Sequence, residues 1–196
     1  MNSNLAISQE AFHQLIRSRR SVFIDQFDPS ASIPDETVAA ILESANYAPT
    51  HKHTEPWRFT VYSGAGLQKL ANDQAAVYQK FAGEKFKQKT YEKLLENPLR
   101  CSHVVAIGLK RHDSVPEVEE IAAVGCAMQN VYLSMTVHGV GGYWSTGGVT
   151  YYEQAKSLFG LGAEDRLMGF LFMGVVKTPS PMRHPRPFED KISWIK

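Results

Sequence analysis

Two apolar runs constrain this chain more than anything else in it: HVVAIGL at residues 103–109 and RLMGFLFMGVV at residues 166–176. The first is too short for a helix of that hydrophobicity and too continuously apolar for a strand with one wet face, so it reads as a central strand. The second reads as another buried strand. A sheet covered on both faces needs helices around it, and the longest apolar segment, EVEEIAAVGCAMQNVYLSMTVH at 117–138, reads as a helix. Its Ala, Gly and Cys let another backbone approach closely, which places it in the core or at a subunit interface.

The other segments give weaker signals. Ser8 is a cap for a first helix with Phe12, Leu15 and Ile16 on one face and RSRRS at its end. SVFIDQFD reads as extended. IPDETVAAILESANYAP reads as a helix, with Pro34, Asp35 and Glu36 suited to its first turn and Val38, Ile41, Leu42 and Ala45 as its stripe. WRFTVYSG alternates like a strand beginning at Trp57, with a turn over 63–66. Residues 67–97 read as one or two helices with Leu70, Val77, Phe81, Leu94 and Leu95 inward, and GVGGYWSTGG as a flexible loop. YYEQAKSLFG reads as a helix stopped by Gly160 and Gly162, and prolines keep the tail TPSPMRHPRPFEDKISWIK irregular. The order predicts an α+β or layered α/β architecture in a single domain, residues 1–196.

A formal charge of +1 gives no bulk reason to expect nucleic acid or an anionic membrane as partner. Cys101 and Cys126 form no CxxC pair and read as reduced, buried thiols. The opening MNSNLAISQEAF lacks the basic start and apolar core of a signal peptide, and no run approaches membrane-spanning length, so a cytoplasmic location is expected.

Three separated places are cationic: Arg17, Arg19 and Arg20 with Ser21; His51 and Lys52 in HKHTEPWRF; and Arg183, His184 and Arg186 in the tail. Forked guanidinium donors beside a hydroxyl suit a phosphate, and arginines at a helix end equally complement its dipole. The glycines of GVGGYWSTGG let main-chain N–H groups approach a flat ligand that Tyr143 and Trp144 would cover, or else they cap a helix and turn the chain. They do not make a GxGxxG fingerprint. His51, His53 and Glu55 at alternate positions would present three ligands on one strand face, yet Pro56 interrupts it and no HExxH or Cys pair supports a metal. Neither Ser145 nor Cys101 beside His103 has the surroundings of a nucleophile.

Taken in order, these segments resemble the FMN-dependent nitroreductase family, closest to its small bacterial NAD(P)H nitroreductase-like branch. The matching residues are Arg19, Arg20 and Ser21 for RRS; Ala48 and Pro49; His51 and Lys52 before Pro56 and Trp57; Gly142, Trp144, Ser145 and Thr146 for G-x-W and its small polar neighbours; Gly174; and the Arg-Pro tail from Arg183 to Pro187. The resemblance implies a nitroreductase-like α+β fold, a central, mostly antiparallel sheet flanked by helices in an intertwined homodimer with two FMN molecules at the interface. It implies phosphate contacts from Arg19, Arg20, Ser21, Arg183 and Arg186, partly from different chains. It implies isoalloxazine contacts from Trp144, Ser145 and Thr146, and contacts from His51 or Lys52 to the ring or the ribityl chain. Tyr47 belongs to the same cofactor set. The implied activity is ping-pong: NADH or NADPH delivers hydride and leaves, and a small-molecule acceptor such as a nitroaromatic or quinone then takes its place. No side chain acts as acid or base, because the chemistry is the flavin's. Two departures stand out. Glu55 replaces the usual Gln before Pro-Trp, either facing the flavin or pairing with Arg58, and Tyr47 replaces an arginine. They favour the alternative, a flavin-binding or sequestering protein with little turnover.

Overall fold

The structure, a computed structural model, describes residues 7–196, so the residues ahead of Ile7, part of the opening stretch read for a signal peptide, lie outside the described residues. Its centre is a four-stranded sheet in the order β1-β2-β4-β3: β1 (Trp57–Ser63), β2 (His103–Leu109), β3 (Val140–Ser145) and β4 (Arg166–Val175). Every neighbouring pair is antiparallel. The two apolar runs are the inner pair, and β2 is buried at all seven positions.

Continuous apolarity reflects a core on each face. Val104 and Ala106 of β2, with Phe170 and Phe172 of β4, point into one cluster. There they meet Leu70, Ala75 and Tyr78 of α3 (Ala65–Phe81) and Leu94 of α4 (Gln88–Glu96). Val105, Ile107, Leu171 and Met173 point the other way. That face is covered by Val38, Ile41 and Ala45 in and after α2 (Asp35–Glu43) and by Val124, Met128 and Val131 of α5 (Glu117–Val137). Burying each such aliphatic or aromatic side chain stabilises the fold by about 1.5–3 kcal/mol. Among the described residues, no fully buried side-chain nitrogen or oxygen lacks a hydrogen-bond partner.

Several sequence expectations are corrected. GVGGYWSTGG is not a loop over its first half, because Val140–Ser145 pairs with β4 along its whole length. Its glycines serve contact: a Cβ on Gly142 would lie 2.5 Å from the Phe172 carbonyl, and one on Gly141 2.7 Å from Val176. SVFIDQFD is not extended throughout, because the Gln26 side chain accepts the Phe23 N–H and closes a 3-10 turn over Ile24–Gln26. YYEQAKSLFG forms a 3-10 helix over Glu153–Phe159. Gly160, left-handed at φ 69°, ends it, whereas the Gly162 N–H donates to Asp165. The turn after β1 is short, since α3 begins at Ala65, and Phe81 at its far end faces solvent. Cys101 is buried, but Cys126 is exposed on the outer side of α5.

Helix α1 (Gln9–Ser18) is capped by the Ser8 hydroxyl, which accepts the Ala11 N–H, and it buries no residue. Phe12 and Ile16 remain 45% and 43% exposed, and the outer face of α5 carries Val118 at 71% and Val137 at 69%. The tail beyond Ser180 is exposed throughout, with only a 3-10 turn at Glu189–Lys191.

Candidate functional site

The end of α1, the C-terminal part of α5 and the end of β3 meet at Tyr132. The Arg19 guanidinium lies over the Tyr132 ring, 5.3 Å from its centre. The Tyr132 hydroxyl accepts the Trp144 main-chain N–H at 2.5 Å, and the Ser21 side chain faces the same oxygen. Burial raises the Tyr132 phenol above its ordinary value, so it stays protonated. Trp144 is held from its other side as well, with its indole N–H donating to the Met168 carbonyl at 2.8 Å. The indole crosses β4 at Gly169, whose φ is 121° and where a Cβ would sit 2.7 Å from the indole nitrogen.

Arg19 and Arg20 are adjacent yet differ in what they touch. Arg20 donates to the main-chain carbonyls of Arg17, Arg19 and Pro181, which ties the end of α1 to the start of the tail. The Ser180 hydroxyl donates to the Ser21 carbonyl and reinforces that tie. Arg19 forms no ion pair and donates no side-chain hydrogen bond among the described residues, so its fork is available to an anion.

Past Trp144 the strand opens into a loop. Gly147 donates its N–H to the Ser145 hydroxyl, while the main-chain N–H groups of Thr146 and Gly148 have no acceptor among the described residues. Beneath this loop, on the α3–α4 side of the sheet, lies a cavity of about 180 Å³. Phe170, Phe172 and Tyr143 wall it, and Ser145, Thr90, Lys93 and Asn97 reach it. Gln74, only 2% exposed, lines the same space with its amide oxygen toward Gly148. Tyr143 stacks on Phe172, ring centres 5.2 Å apart, and burial pushes its phenol up to about 12.

A sequence model of the nitroreductase family matches residues 16–175. The chain belongs to the nitroreductase family. YfhC of Bacillus subtilis, provisionally named an NAD(P)H nitroreductase, is 27% identical over 182 residues that span 91% of each chain. A nitroreductase-like family protein from Bacillus cereus aligns with a TM-score of 0.83 at 25% identity, over 97% of this chain and 98% of its own. NfnB of Mycobacterium smegmatis, an FMN-dependent nitroreductase solved in complex with NADPH, has a TM-score of 0.73 at 19% identity, over 95% of this chain and 99% of its own.

Within one chain of this nitroreductase, only some of the residues singled out in the sequence come together. Arg19, Ser21 and Trp144 meet at Tyr132, and Ser145 and Thr146 follow directly. His51 and Lys52 lie elsewhere. His51 pairs with Glu119, and the Lys52 ammonium donates to the Ser114 carbonyl at 2.8 Å, both near the start of α5. Glu119 and Tyr132 are separated by about 20 Å along the helix at 1.5 Å per residue. Tyr47, 80% exposed, lines a groove of about 650 Å³ with Leu15 of α1 and Asn130 and Val137 of α5. Arg183 and Arg186 are exposed in the tail.

The strand-face arrangement of His51, His53 and Glu55 does not form. The segment is a tight 3-10 turn in which Lys52, His53 and Glu55 have φ of 52°, 54° and 44°. Three non-glycine residues in the left-handed region are strained by about 1–2 kcal/mol each. The turn is held by the Thr50 hydroxyl, which accepts the Glu55 N–H, and by the His51 and Lys52 contacts. No carboxylate pairing joins Glu55 to Arg58; the Arg58 guanidinium donates to the Glu55 and Trp57 carbonyls instead.

Sequence reasoning alone passes over Tyr132, Gln74, Thr90, Lys93 and Asn97. The first looks like one more apolar position on a long helix. The other four lie in residues 67–100, where polar and charged residues are so common that the ones facing a cavity do not stand out.

Proposed function

We propose that this nitroreductase is an FMN-dependent NAD(P)H oxidoreductase that reduces electron-poor small molecules, nitroaromatics or quinones, in a ping-pong cycle. The observation that carries the reading is the Arg19 guanidinium, without a carboxylate partner, beside Ser21 and within one hydrogen-bonded step of a loop with open main-chain donors. The FMN and NADPH of mycobacterial NfnB, a relative in fold, agree with it.

The residues present fit FMN. A phosphate dianion is met by the Arg19 fork and the Ser21 hydroxyl, with Arg20 positioning that end through its carbonyl contacts. The Thr146 and Gly148 N–H groups and the Gln74, Asn97 and Ser145 side chains offer donors to a planar heterocycle with several carbonyls. FMN held there would supply the two-electron hydride chemistry, and a nearby cation would stabilise the negative charge of its reduced form. Lys93, which lines the cavity, would place a cation near such a charge. Residues 145–148 would lie along the flavin plane.

The reading takes residues 1–196 as a single domain, working as a cytoplasmic homodimer with its sites at the interface. Support for the dimer comes from the apolar residues left uncovered on α1, α5 and the tail, where Trp194 is 78% exposed. In such a dimer, His51 and Lys52, held near the start of α5, would approach the cofactor from the second copy. Arg183 and Arg186 approach the phosphate from the tails. No helix among the described residues is long and apolar enough to cross a membrane.

An anaerobic stopped-flow panel of nitroaromatics and quinones tests the reading. Rapid reoxidation of the NAD(P)H-reduced protein supports it. Tight FMN binding with no reduction by either nicotinamide would select a sequestering role, which Tyr47 and Glu55, contributing no cation and one carboxylate, would then explain.

A further inference from the structure

We propose that Tyr132 is a positioning residue that sets the spacing between the Arg19 cation and the open main-chain donors after Trp144; this rests on the reading of the chain as an FMN enzyme. Two other stretches, at residues 19 and 144, meet on its side chain. The ring face carries the Arg19 guanidinium, and the hydroxyl takes the Trp144 N–H.

The location of β3 explains why such a residue matters. It is one of the sheet's two edge strands, so the main-chain groups of alternate residues face away from β4. The protein closes one of these groups itself, with the Gly142 carbonyl accepting the Val22 N–H at 3.0 Å. The next, Trp144 N–H, is closed by Tyr132. The following amide in that direction is Thr146, and it has no acceptor among the described residues. Tyr132 therefore holds the last outward amide of β3, next to the open Thr146 amide. Because the indole of the same residue is fixed to Met168, Trp144 is held through both its main chain and its side chain.

A packing role alone makes different predictions. Tyr132→Phe keeps the ring beneath Arg19 and the volume of the site while removing the acceptor. Tyr132→Leu removes the acceptor and the aromatic face.

Amide exchange of the flavin-free protein reads the Tyr132–Trp144 hydrogen bond without any cofactor, and FMN dissociation constants and the midpoint potential of bound FMN read its consequences. For Tyr132→Phe the Trp144 amide should exchange about tenfold faster, in line with the loss of one hydrogen bond. The midpoint potential should shift, while FMN affinity stays within about threefold because the ring under Arg19 remains. For Tyr132→Leu the affinity should also fall, by about tenfold. Unchanged Trp144 exchange together with an unchanged potential in Tyr132→Phe would overturn the proposal, as would wild-type FMN affinity in Tyr132→Leu. A wild-type protein that does not bind FMN would remove the parent reading, and the exchange measurement would still judge the tie between Tyr132 and Trp144.

Discussion

Replacing Arg19 by alanine is the sharpest single perturbation of the proposed phosphate end. The guanidinium is half-buried against Tyr132 and has no carboxylate or carbonyl partner among the described residues, so nothing in the chain competes with a bound phosphate for its donors. A hydrogen bond to a charged group contributes about 1.5–3 kcal/mol, which corresponds to roughly tenfold to a hundredfold in the FMN dissociation constant. Fold stability should change little, because a cation–π interaction such as the one between Arg19 and Tyr132 is worth about 0.5–2 kcal/mol. Arg19→Lys should fall between, keeping the charge and losing the fork. Equilibrium dialysis against FMN, with far-UV circular dichroism to confirm folding, separates the two effects. Arg20→Ala provides the contrast: its guanidinium is committed to the carbonyls of Arg17, Arg19 and Pro181, so its loss should free the tail to proteases more than it weakens FMN. An Arg19→Ala protein that folds and keeps wild-type affinity would remove Arg19 from the site and refute the reasoning.

Gly169→Ala should destabilise the fold by about 3 kcal/mol in urea titrations and disturb the flavin site together, because its Cβ would strike the Trp144 indole nitrogen and the Ser145 carbonyl. Burial alone would raise the Asp165 carboxyl, but the Arg111 and Gly162 N–H groups and the Lys110 ammonium outweigh it and hold the carboxyl below its usual range. A lowered folded value means the stabilisation is present above about pH 4 and is lost as pH falls through the folded value. Asp165→Asn should therefore flatten the acid limb of a stability-versus-pH curve below about pH 4. Burial pushes the Cys101 thiol up to about 12, so in native protein at pH 8 it should stay unmodified by a disulfide reagent and react only after unfolding.

The sheet's inner pair, the long helix and the cap at Ser8 are all legible in the sequence because each depends on a local pattern: continuous apolarity, helical periodicity or a single hydroxyl. The outer strand β3 is not, since GVGGYWS carries the composition of a loop. Only the close approach of Val22, Val176 and the Phe172 carbonyl shows why its glycines are needed in a strand. The same limit applies to the site. RRS and G-x-W are visible as motifs, whereas Tyr132, which joins them, has no motif, because its role exists only once α1, α5 and β3 are packed together. His51 and Lys52 stand out as an adjacent pair before Pro56 and Trp57, but the strained backbone that holds them depends on Glu119 and Ser114, more than sixty residues away.

The central claim is tested most directly by the absorbance spectrum of the purified protein under anaerobic conditions. The account predicts a yellow protein, or one that turns yellow on reconstitution with FMN, whose flavin band bleaches on adding NADH or NADPH and returns on adding a nitroaromatic or quinone. A folded protein that stays colourless and cannot be reconstituted with FMN would contradict it.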